Sequence, residues 1–132
     1  MKHDPIRVAI LGTGMMGQEH VSYLIDYPQC ELKFLCDTDE SMLSEAARAV
    51  ETKKLPTPML LENEDALYEH RKDFDLLVIS TPNFLHTPML LRWGQEPITI
   101  LCEKPVAINH EQIEALKAAQ SSFLANVWIA ME

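Results

Sequence analysis

The stretch ILGTGMMGQEH, residues Ile10–His20, carries three glycines in the spacing G-x-G-x-x-G. The apolar, β-branched run Ile6–Leu11 leads into them and predicts a strand. The helical periodicity that follows, from Met15 to about Tyr27, predicts a helix that Pro28 ends. Between a strand and a helix, this spacing indicates a dinucleotide-binding loop, whereas elsewhere it would be an ordinary glycine-rich turn. The three glycines are Gly12, Gly14 and Gly17.

The second strand, Glu31–Cys36, supplies the remaining part of this fingerprint, because Asp37 follows it about 20 residues after the last glycine. In such a loop Gly12 allows a tight turn, Gly14 lets a pyrophosphate approach the backbone, and Gly17 lets the helix pack closely on the strand. The pyrophosphate then meets free N–H groups at the positive end of the helix dipole. Asp37 is expected to accept hydrogen bonds from the adenosine ribose and to repel a 2′-phosphate, which favours NAD over NADP.

Strand and helix patterns alternate along the whole chain. This alternation predicts an α/β fold, a doubly wound parallel sheet with the strand order 3-2-1-4-5-6 and helices on both faces. The predicted strands are Ile6–Leu11, Glu31–Cys36, Thr57–Leu61, Asp75–Ser80, Ile98–Cys102 and Phe123–Met131. After the first helix, the predicted helices cover Leu43–Val50, the residues from the Asn63 cap to about His70, Pro88–Trp93 before Gly94, and the residues from the Asn109 cap to about Gln120, with Ile113 and Leu116 facing inward.

Composition narrows the class of protein. The chain has 132 residues, which predicts one domain over residues 1–132, and a net charge of −9. Nucleic-acid binding is not expected, because it needs a basic face. No apolar run approaches the ~20 residues of a membrane helix, and the N-terminus lacks a signal-peptide cleavage site. Cys30, Cys36 and Cys102 form no paired motif, which favours a reducing, cytoplasmic setting.

Two further stretches follow predicted strands. STPNFLH, Ser80–His86, comes after the fourth strand, and CEKP, Cys102–Pro105, after the fifth. Ligands of doubly wound sheets bind beyond the carboxyl ends of the strands, so both stretches are expected to face the glycine loop. Glu103 and Lys104 would bring a carboxylate and an ammonium there, although an ordinary charged turn remains the alternative. The hydrogen-bonding side chains of the first stretch are Ser80, Thr81 and Asn83.

In this order and spacing, GTGMMG, STPNFLH and CEKP resemble the glucose–fructose oxidoreductase/inositol dehydrogenase (Gfo/Idh/MocA) family. The resemblance implies an NAD(P)-dependent oxidoreductase acting on sugars, cyclitols or related alcohols. It implies that Pro82 and Asn83 contact the cofactor and that Glu103 binds the nicotinamide ribose. Lys104 would touch cofactor and substrate and assist proton transfer, as a catalytic residue. The expected cofactor-binding residues are Gly12, Thr13, Gly14, Met15, Met16, Gly17, Asp37, Ser80, Thr81, Pro82, Asn83, His86, Glu103 and Lys104.

Two histidines, His20 and His86, have a structural interpretation as well. His86 matches the histidine of the family motif, which shapes its loop, and a purely structural histidine is the alternative. His20 is expected to be structural, because its helix packs on the sheet. The histidines and cysteines show no metal-ligand spacing, so no metal site is expected.

The chain departs from the resemblance in length. Family members continue into a second α/β domain that carries most of the substrate pocket and usually the oligomer interface, whereas this chain ends at Glu132. Three interpretations follow: the cofactor half of an NAD-dependent sugar or polyol dehydrogenase, a non-catalytic NAD-binding regulatory or sensor module, and an inactive truncated isoform. In the first, a sugar or polyol substrate is expected only if a second domain continues the chain, so the chain alone is expected to lack turnover.

Overall fold

The computed structural model describes residues 4–131, which form one six-stranded parallel sheet covered by helices. The strands are β1 (Ile6–Leu11), β2 (Cys30–Cys36), β3 (Met59–Leu61), β4 (Leu76–Ile79), β5 (Thr99–Glu103) and β6 (Asn126–Ala130). The helices are α1 (Met15–Leu24), α2 (Glu40–Thr52), α3 (Glu64–Glu69), α4 (His86–Trp93) and α5 (His110–Ala119), with single 3₁₀ turns at Asn83–Leu85 and Gln120–Ser122. The strands lie in the order β3-β2-β1-β4-β5-β6, so the predicted doubly wound α/β fold is confirmed.

The sheet is buried on both faces, which explains why β1 is an uninterrupted apolar run. Val8 and Ile10 belong to a core formed with α1 and α2, and Ala9 and Leu11 to a core formed with α3 and α4. At the centre, Ile10 of β1 is in register with Leu35 of β2 and Val78 of β4. The hydrophobic effect therefore fixes β1 in the middle of the sheet, with its carboxyl end at the glycine loop.

Side-chain caps start two of the helices where the sequence predicts. The Asn63 side chain accepts a hydrogen bond from the Ala66 N–H at the start of α3, and the Asn109 side chain accepts one from the Gln112 N–H at the start of α5. Both contacts satisfy an N–H group that has no partner inside its helix. The predicted caps are confirmed.

Helix ends differ from the predictions by two or three residues. α1 ends at Leu24 rather than near Tyr27, because the Tyr27 N–H donates to the Leu24 carbonyl and closes a tighter turn. α4 begins at His86 rather than Pro88, since the preceding 3₁₀ turn leads directly into it. A proline in the first helical turn is tolerated, because N–H groups there have no intrahelical partner.

Gly94 ends α4 for a reason the sequence does not reveal. Its φ of −60° is an ordinary helical value, so a left-handed conformation is not what requires glycine there. A Cβ at Gly94 would instead lie 2.6 Å from the Leu90 carbonyl oxygen and 2.7 Å from the Phe123 ring. Close packing of the segment before β6 against the end of α4 therefore excludes a side chain.

The expectation for the inner face of α5 is wrong for Ile113, which is 42% exposed. Leu116 packs in part against the core, but none of the residues of α5 is buried. The neighbouring strand β6 is the edge of the sheet, so within residues 4–131 no further strand covers this flank.

Burial also determines the chemistry of two cysteines. Cys36 and Cys102 are buried, whereas Cys30 is partly exposed, and all three are free thiols. Burial raises the pKa of the Cys36 and Cys102 thiols to about 12, so both stay protonated and poorly reactive at neutral pH. None of the helices in residues 4–131 has the length and apolar character needed to span a bilayer.

Candidate functional site

The loops that follow β1 and β4 touch each other at the carboxyl end of the sheet. The Ser80 hydroxyl donates to the Gly12 carbonyl oxygen at 2.8 Å. Gly12 has a φ of +100°, and a Cβ there would lie 2.6 Å from the Ser80 carbonyl carbon. The tight turn expected at Gly12 is present, and the neighbouring loop is the physical reason that no side chain fits.

The other two glycines of the loop have opposite surroundings. A Cβ at Gly17 would lie 2.0 Å from the Gly12 carbonyl oxygen, so the close packing expected of α1 is present. A Cβ at Gly14 would meet no atom within 4 Å. The loop therefore opens onto free space at Gly14, the position where the sequence places a pyrophosphate.

The N-terminus of α1 lacks the side-chain cap that three other helices have. Gly14 is its N-cap residue, its first turn contains no acidic residue, and no side chain within residues 4–131 caps it. The N–H groups of Met15, Met16 and Gly17 therefore remain available, together with the positive end of the helix dipole. Such an end attracts anions. The capped helices are α2 with Asp39, α3 with Asn63 and α5 with Asn109.

Asp37 makes hydrogen bonds within the chain that the sequence does not predict. Its Oδ2 accepts hydrogen bonds from the Thr13 N–H at 2.6 Å and the Thr13 hydroxyl at 2.9 Å, and its Oδ1 accepts one from the Asp39 N–H at 2.8 Å. A carboxylate offers about four acceptor sites, so one remains for a ribose hydroxyl. Thr13 itself is buried and serves to tie the glycine loop to Asp37, while Met15 is largely exposed and fills no core.

His86 joins the loops after β4 and β5. The ring is 1% exposed, with Nδ1 2.7 Å from the Pro105 carbonyl oxygen and Nε2 2.8 Å from the Thr81 carbonyl oxygen. Both ring nitrogens are therefore within hydrogen-bond distance of a backbone carbonyl oxygen. No ring nitrogen is left for a ligand, and the geometry therefore supports a loop-shaping role rather than direct contact with a cofactor.

Pro82 and Asn83 are the exposed polar or turn-forming residues of the same loop. The hydroxyl groups before them are already engaged, since Ser80 holds Gly12 and the Thr81 hydroxyl donates to the Met89 sulfur at 3.2 Å. Asn83 opens the 3₁₀ turn, and within residues 4–131 its side chain makes no hydrogen bond. Pro82, Asn83 and Phe84 are the exposed residues of this loop, and Asn83 is the one of the three with a polar side chain to offer a ligand.

Glu103 and Lys104 lie side by side at the end of β5 but differ in burial. Glu103 is 7% exposed, and its Oε1 lies 2.6 Å from Nε2 of His20 on α1. Lys104 is exposed and takes part in no ion pair within residues 4–131. Sequence reasoning missed the His20–Glu103 contact, because the two residues are 83 positions apart.

Other parts of the described chain offer no comparable constellation. Within residues 4–131, no three His, Cys, Asp or Glu side chains come together as metal ligands. A depression of about 460 Å³ lies at the opposite end of the strands, where Arg7, Lys33, Phe34 and Met59 contribute to its lining. It includes neither the glycine loop nor the loops after β4 and β5.

The strand order, the glycine loop and the uncapped helix behind it define a dinucleotide-binding α/β domain. The sequence model of the Gfo/Idh/MocA oxidoreductase family, NAD-binding Rossmann fold, matches residues 6–128. The chain belongs to this family of NAD-binding oxidoreductases, which confirms the resemblance carried by the three motifs.

Individual relatives cover different activities. A glycosyl hydrolase family 109 protein of Shewanella pealeana is 32% identical over 114 residues, 84% of this chain and 25% of the relative. The myo-inositol dehydrogenase of Corynebacterium glutamicum is 25% identical with a TM-score of 0.80, covering 96% of this chain and 36% of that chain. The scyllo-inositol dehydrogenase of Lactobacillus casei, solved with NAD(H) and scyllo-inositol, is 18% identical with a TM-score of 0.81. The match covers 96% of this chain and 36% of that chain and shows a shared fold. The chain thus spans about a quarter of the length of that curated relative.

Proposed function

We propose that this chain is the cofactor-binding half of an enzyme that transfers a hydride between NAD and a sugar, polyol or related alcohol. The observation that carries the proposal is the free N-terminus of α1 beside the open space at Gly14. The buried carboxylate of Glu103 and the exposed side chain of Lys104 lie at the end of β5 on the same edge of the sheet. An anion-binding helix end combined with an acid/base pair fits a nicotinamide cofactor with a substrate beside it.

The residues present fit NAD along its length. The N–H groups of Met15 and Met16 would hold the pyrophosphate, and the remaining acceptor site of Asp37 would take a hydroxyl of the adenosine ribose. Asn83 would contact the nicotinamide half from the loop after β4. Glu103 would accept hydrogen bonds from the nicotinamide ribose. When bound, the nicotinamide ring accepts or donates the hydride.

Lys104 is the proposed acid/base group. An alcohol loses a hydroxyl proton when its carbon gives up a hydride, and a side chain near that hydroxyl must take the proton. The Lys104 side chain is exposed and has no ion-pair partner in residues 4–131. In alcohol oxidation its neutral amine would take the hydroxyl proton and become the ammonium, and in carbonyl reduction the ammonium would return that proton. Its neighbour Glu103 is held by His20, which leaves Lys104 as the free group of the pair.

We propose that the substrate pocket and the oligomer interface belong to residues outside this domain. Hydride transfer needs a substrate held in near-attack geometry with water excluded. Lys104 is open to solvent here, so residues 1–132 supply one wall of such a pocket. Incubation with NAD and a panel of inositols and sugars should therefore give no NADH absorbance at 340 nm. Robust turnover by this chain would contradict the proposal that residues outside this domain complete the substrate pocket.

Cofactor choice tests the role of Asp37. Calorimetric titration should show tighter binding of NAD than of NADP, because the carboxylate repels a 2′-phosphate. Asp37→Asn should narrow that difference, since it removes the charge but keeps an acceptor for Thr13. Asp26→Asn removes the same charge at an exposed position after α1 and should leave the ratio unchanged. Equal or tighter NADP binding by the unmodified chain would refute the proposed choice.

The glycine loop provides the sharpest test of cofactor binding itself. Gly14→Val should abolish NAD binding with an unchanged circular dichroism spectrum, because the side chain enters open space that the pyrophosphate needs. Gly17→Ala is the matched comparison and should lower the melting temperature, since its Cβ would clash with Gly12. Normal NAD affinity in Gly14→Val would place the pyrophosphate elsewhere.

A second candidate function is the cofactor half of a glycoside hydrolase. It is favoured by the 32% identity to the glycosyl hydrolase family 109 protein of Shewanella pealeana. A protein that joins this domain to a substrate domain would distinguish the two activities. A dehydrogenase produces NADH in proportion to polyol consumed, whereas a hydrolase releases p-nitrophenol from p-nitrophenyl glycosides without net NADH. NAD binding with neither activity would favour a regulatory or sensor module, and failure to bind NAD would favour an inactive isoform.

A cytoplasmic location is also proposed. Cys30, Cys36 and Cys102 are all free thiols, and a reducing compartment keeps thiols in that state. Fractionation of cells that express the protein, with immunodetection, tests this placement.

A further inference from the structure

The carboxylate of Glu103 has one side-chain partner within residues 4–131, and that partner is His20. The two side chains are 9% and 17% exposed, and Glu103 Oε1 lies 2.6 Å from His20 Nε2. His20 is on α1, the helix that starts at the glycine loop, and Glu103 ends β5. The contact therefore connects the pyrophosphate end of the expected site to the nicotinamide end.

The two oxygens of this carboxylate differ in their surroundings. Oε1 is engaged by His20, whereas Oε2 has no hydrogen-bond partner within residues 4–131. Every completely buried polar side-chain atom in those residues has a partner, so Oε2 retains some contact with solvent. A carboxylate held through one oxygen presents the other in a fixed direction, which suits the recognition of a hydroxyl group.

Burial explains why Glu103 needs such a partner. An almost buried carboxylate is costly unless it is hydrogen-bonded, and without a partner it would rotate toward water. Lys104 is adjacent in sequence but forms no ion pair with it. His20 is thus the group that holds the Glu103 side chain in place at the end of β5.

We propose that His20 is a positioning residue, which fixes the Glu103 carboxylate so that Oε2 accepts hydrogen bonds from the nicotinamide ribose. This inference rests on the proposed NAD-binding function and adds a residue on α1 to the nicotinamide end of the site. His20 acts through Glu103 and does not touch the cofactor. Its loss should therefore affect the nicotinamide half of NAD and spare the adenosine half.

The experiment compares two ligands on one set of variants. NAD⁺ carries the nicotinamide ribose, and ADP carries the adenosine and pyrophosphate without it. By calorimetry, His20→Phe should weaken NAD⁺ binding about tenfold, the scale of one hydrogen bond to a charged group. Its ADP affinity should stay within about twofold, well under one such hydrogen bond. Tyr23→Phe, which removes an exposed hydroxyl from the same helix, should change neither affinity.

A double-variant comparison separates positioning from an independent contribution. Glu103→Gln should also weaken NAD⁺ and spare ADP. Combining it with His20→Phe should cause little further loss, because the histidine acts only through the carboxylate. Additive losses would overturn the proposal, as would an equal loss of ADP and NAD⁺ affinity in His20→Phe.

Nuclear magnetic resonance of the unmodified chain keeps the proposal testable if His20→Phe does not fold. NAD⁺ should shift the ring-proton resonances of His20, and ADP should leave them in place. Identical shifts with both ligands would overturn the proposal. If the unmodified chain binds neither ligand, the proposed function and this inference both fail, whereas NAD⁺ binding with unchanged affinity in His20→Phe overturns the inference alone.

Discussion

α4 and α5 lie on the same face of the sheet, yet α4 buries five of its eight residues and α5 buries none. α4 lies between α3 and α5. On the side of α3, its Trp93 packs against Tyr68 and donates a hydrogen bond to Glu64. α5 lies beside β6, the edge strand, where Ile129 on the same face of the sheet is 37% exposed. An apolar helical face is therefore buried only where neighbouring elements complete the layer.

The two tryptophans extend the comparison to the other face of β6, on which Trp128 lies and is 66% exposed. Trp93→Ala should lower the free energy of unfolding by about 3–5 kcal/mol, because it leaves a cavity in the core. Trp128→Ala should change it by less than about 0.5 kcal/mol, as is usual for an exposed residue. Urea denaturation followed by circular dichroism measures both values. Comparable losses at the two positions would mean that the β6 flank is packed as tightly as α4.

Gly94 lies where the two regions join, and a substitution there should have an intermediate effect. Its carbonyl accepts from the Leu124 and Ala125 N–H groups, and a Cβ would clash with the Phe123 ring. Gly94→Ala should destabilise the protein by about 1–3 kcal/mol, the usual cost of overpacking. The same urea titration provides the value. A Phe123→Leu background should relieve part of the loss, and if it does not, the clash is with Leu90 instead.

The smallest effect is expected at the amino end of the buried strands, where Arg7 donates two side-chain hydrogen bonds to Asp75. These bonds hold the pKa of the Asp75 carboxyl below its usual value. The stabilisation is therefore present above the unfolded-state pKa of about 3.9 and is lost as pH falls through the lower folded-state pKa. Both side chains are exposed, so Asp75→Asn should lower Tm by only about 2 °C at pH 7.

A pH series of thermal melts checks the sign of this last effect. The difference in Tm between the unmodified chain and Asp75→Asn should shrink as the pH falls below about 3.9, where the unfolded-state carboxyl becomes neutral, and should vanish once the pH passes the lower folded-state pKa. A difference that grows on acidification would show that Asp75 stabilises the fold in some other way.

Elements with strong periodicity were predictable from sequence, and their contacts were not. Leu43, Ala46, Ala47 and Val50 are all buried on α2, because regular i, i+3, i+4 spacing reports one helical face directly. Ile113 follows a similar pattern but lies exposed, because its burial depends on whether another layer covers α5. Sequence periodicity indicates which face is apolar and gives no information on what lies opposite it.

In the candidate site, too, some features could be predicted from the sequence and others could not. Glycine spacing reveals the loop and Asp37, because each depends on backbone geometry close by in sequence. The contacts of His20 with Glu103 and of Asp37 with Thr13 join residues 83 and 24 positions apart. Only the packed arrangement of α1, β2 and β5 brings these pairs together, so a single sequence carries no direct sign of them.

The crevice loops are connected to each other by hydrogen bonds within the chain. Asp37 holds the glycine loop, Ser80 holds Gly12, and His86 joins the loops after β4 and β5. Few backbone torsions therefore remain to be ordered when a dinucleotide binds. The entropic penalty of association should be small, the backbone of the loops should move by less than about 1 Å, and the association rate should be limited by diffusion rather than by loop closure.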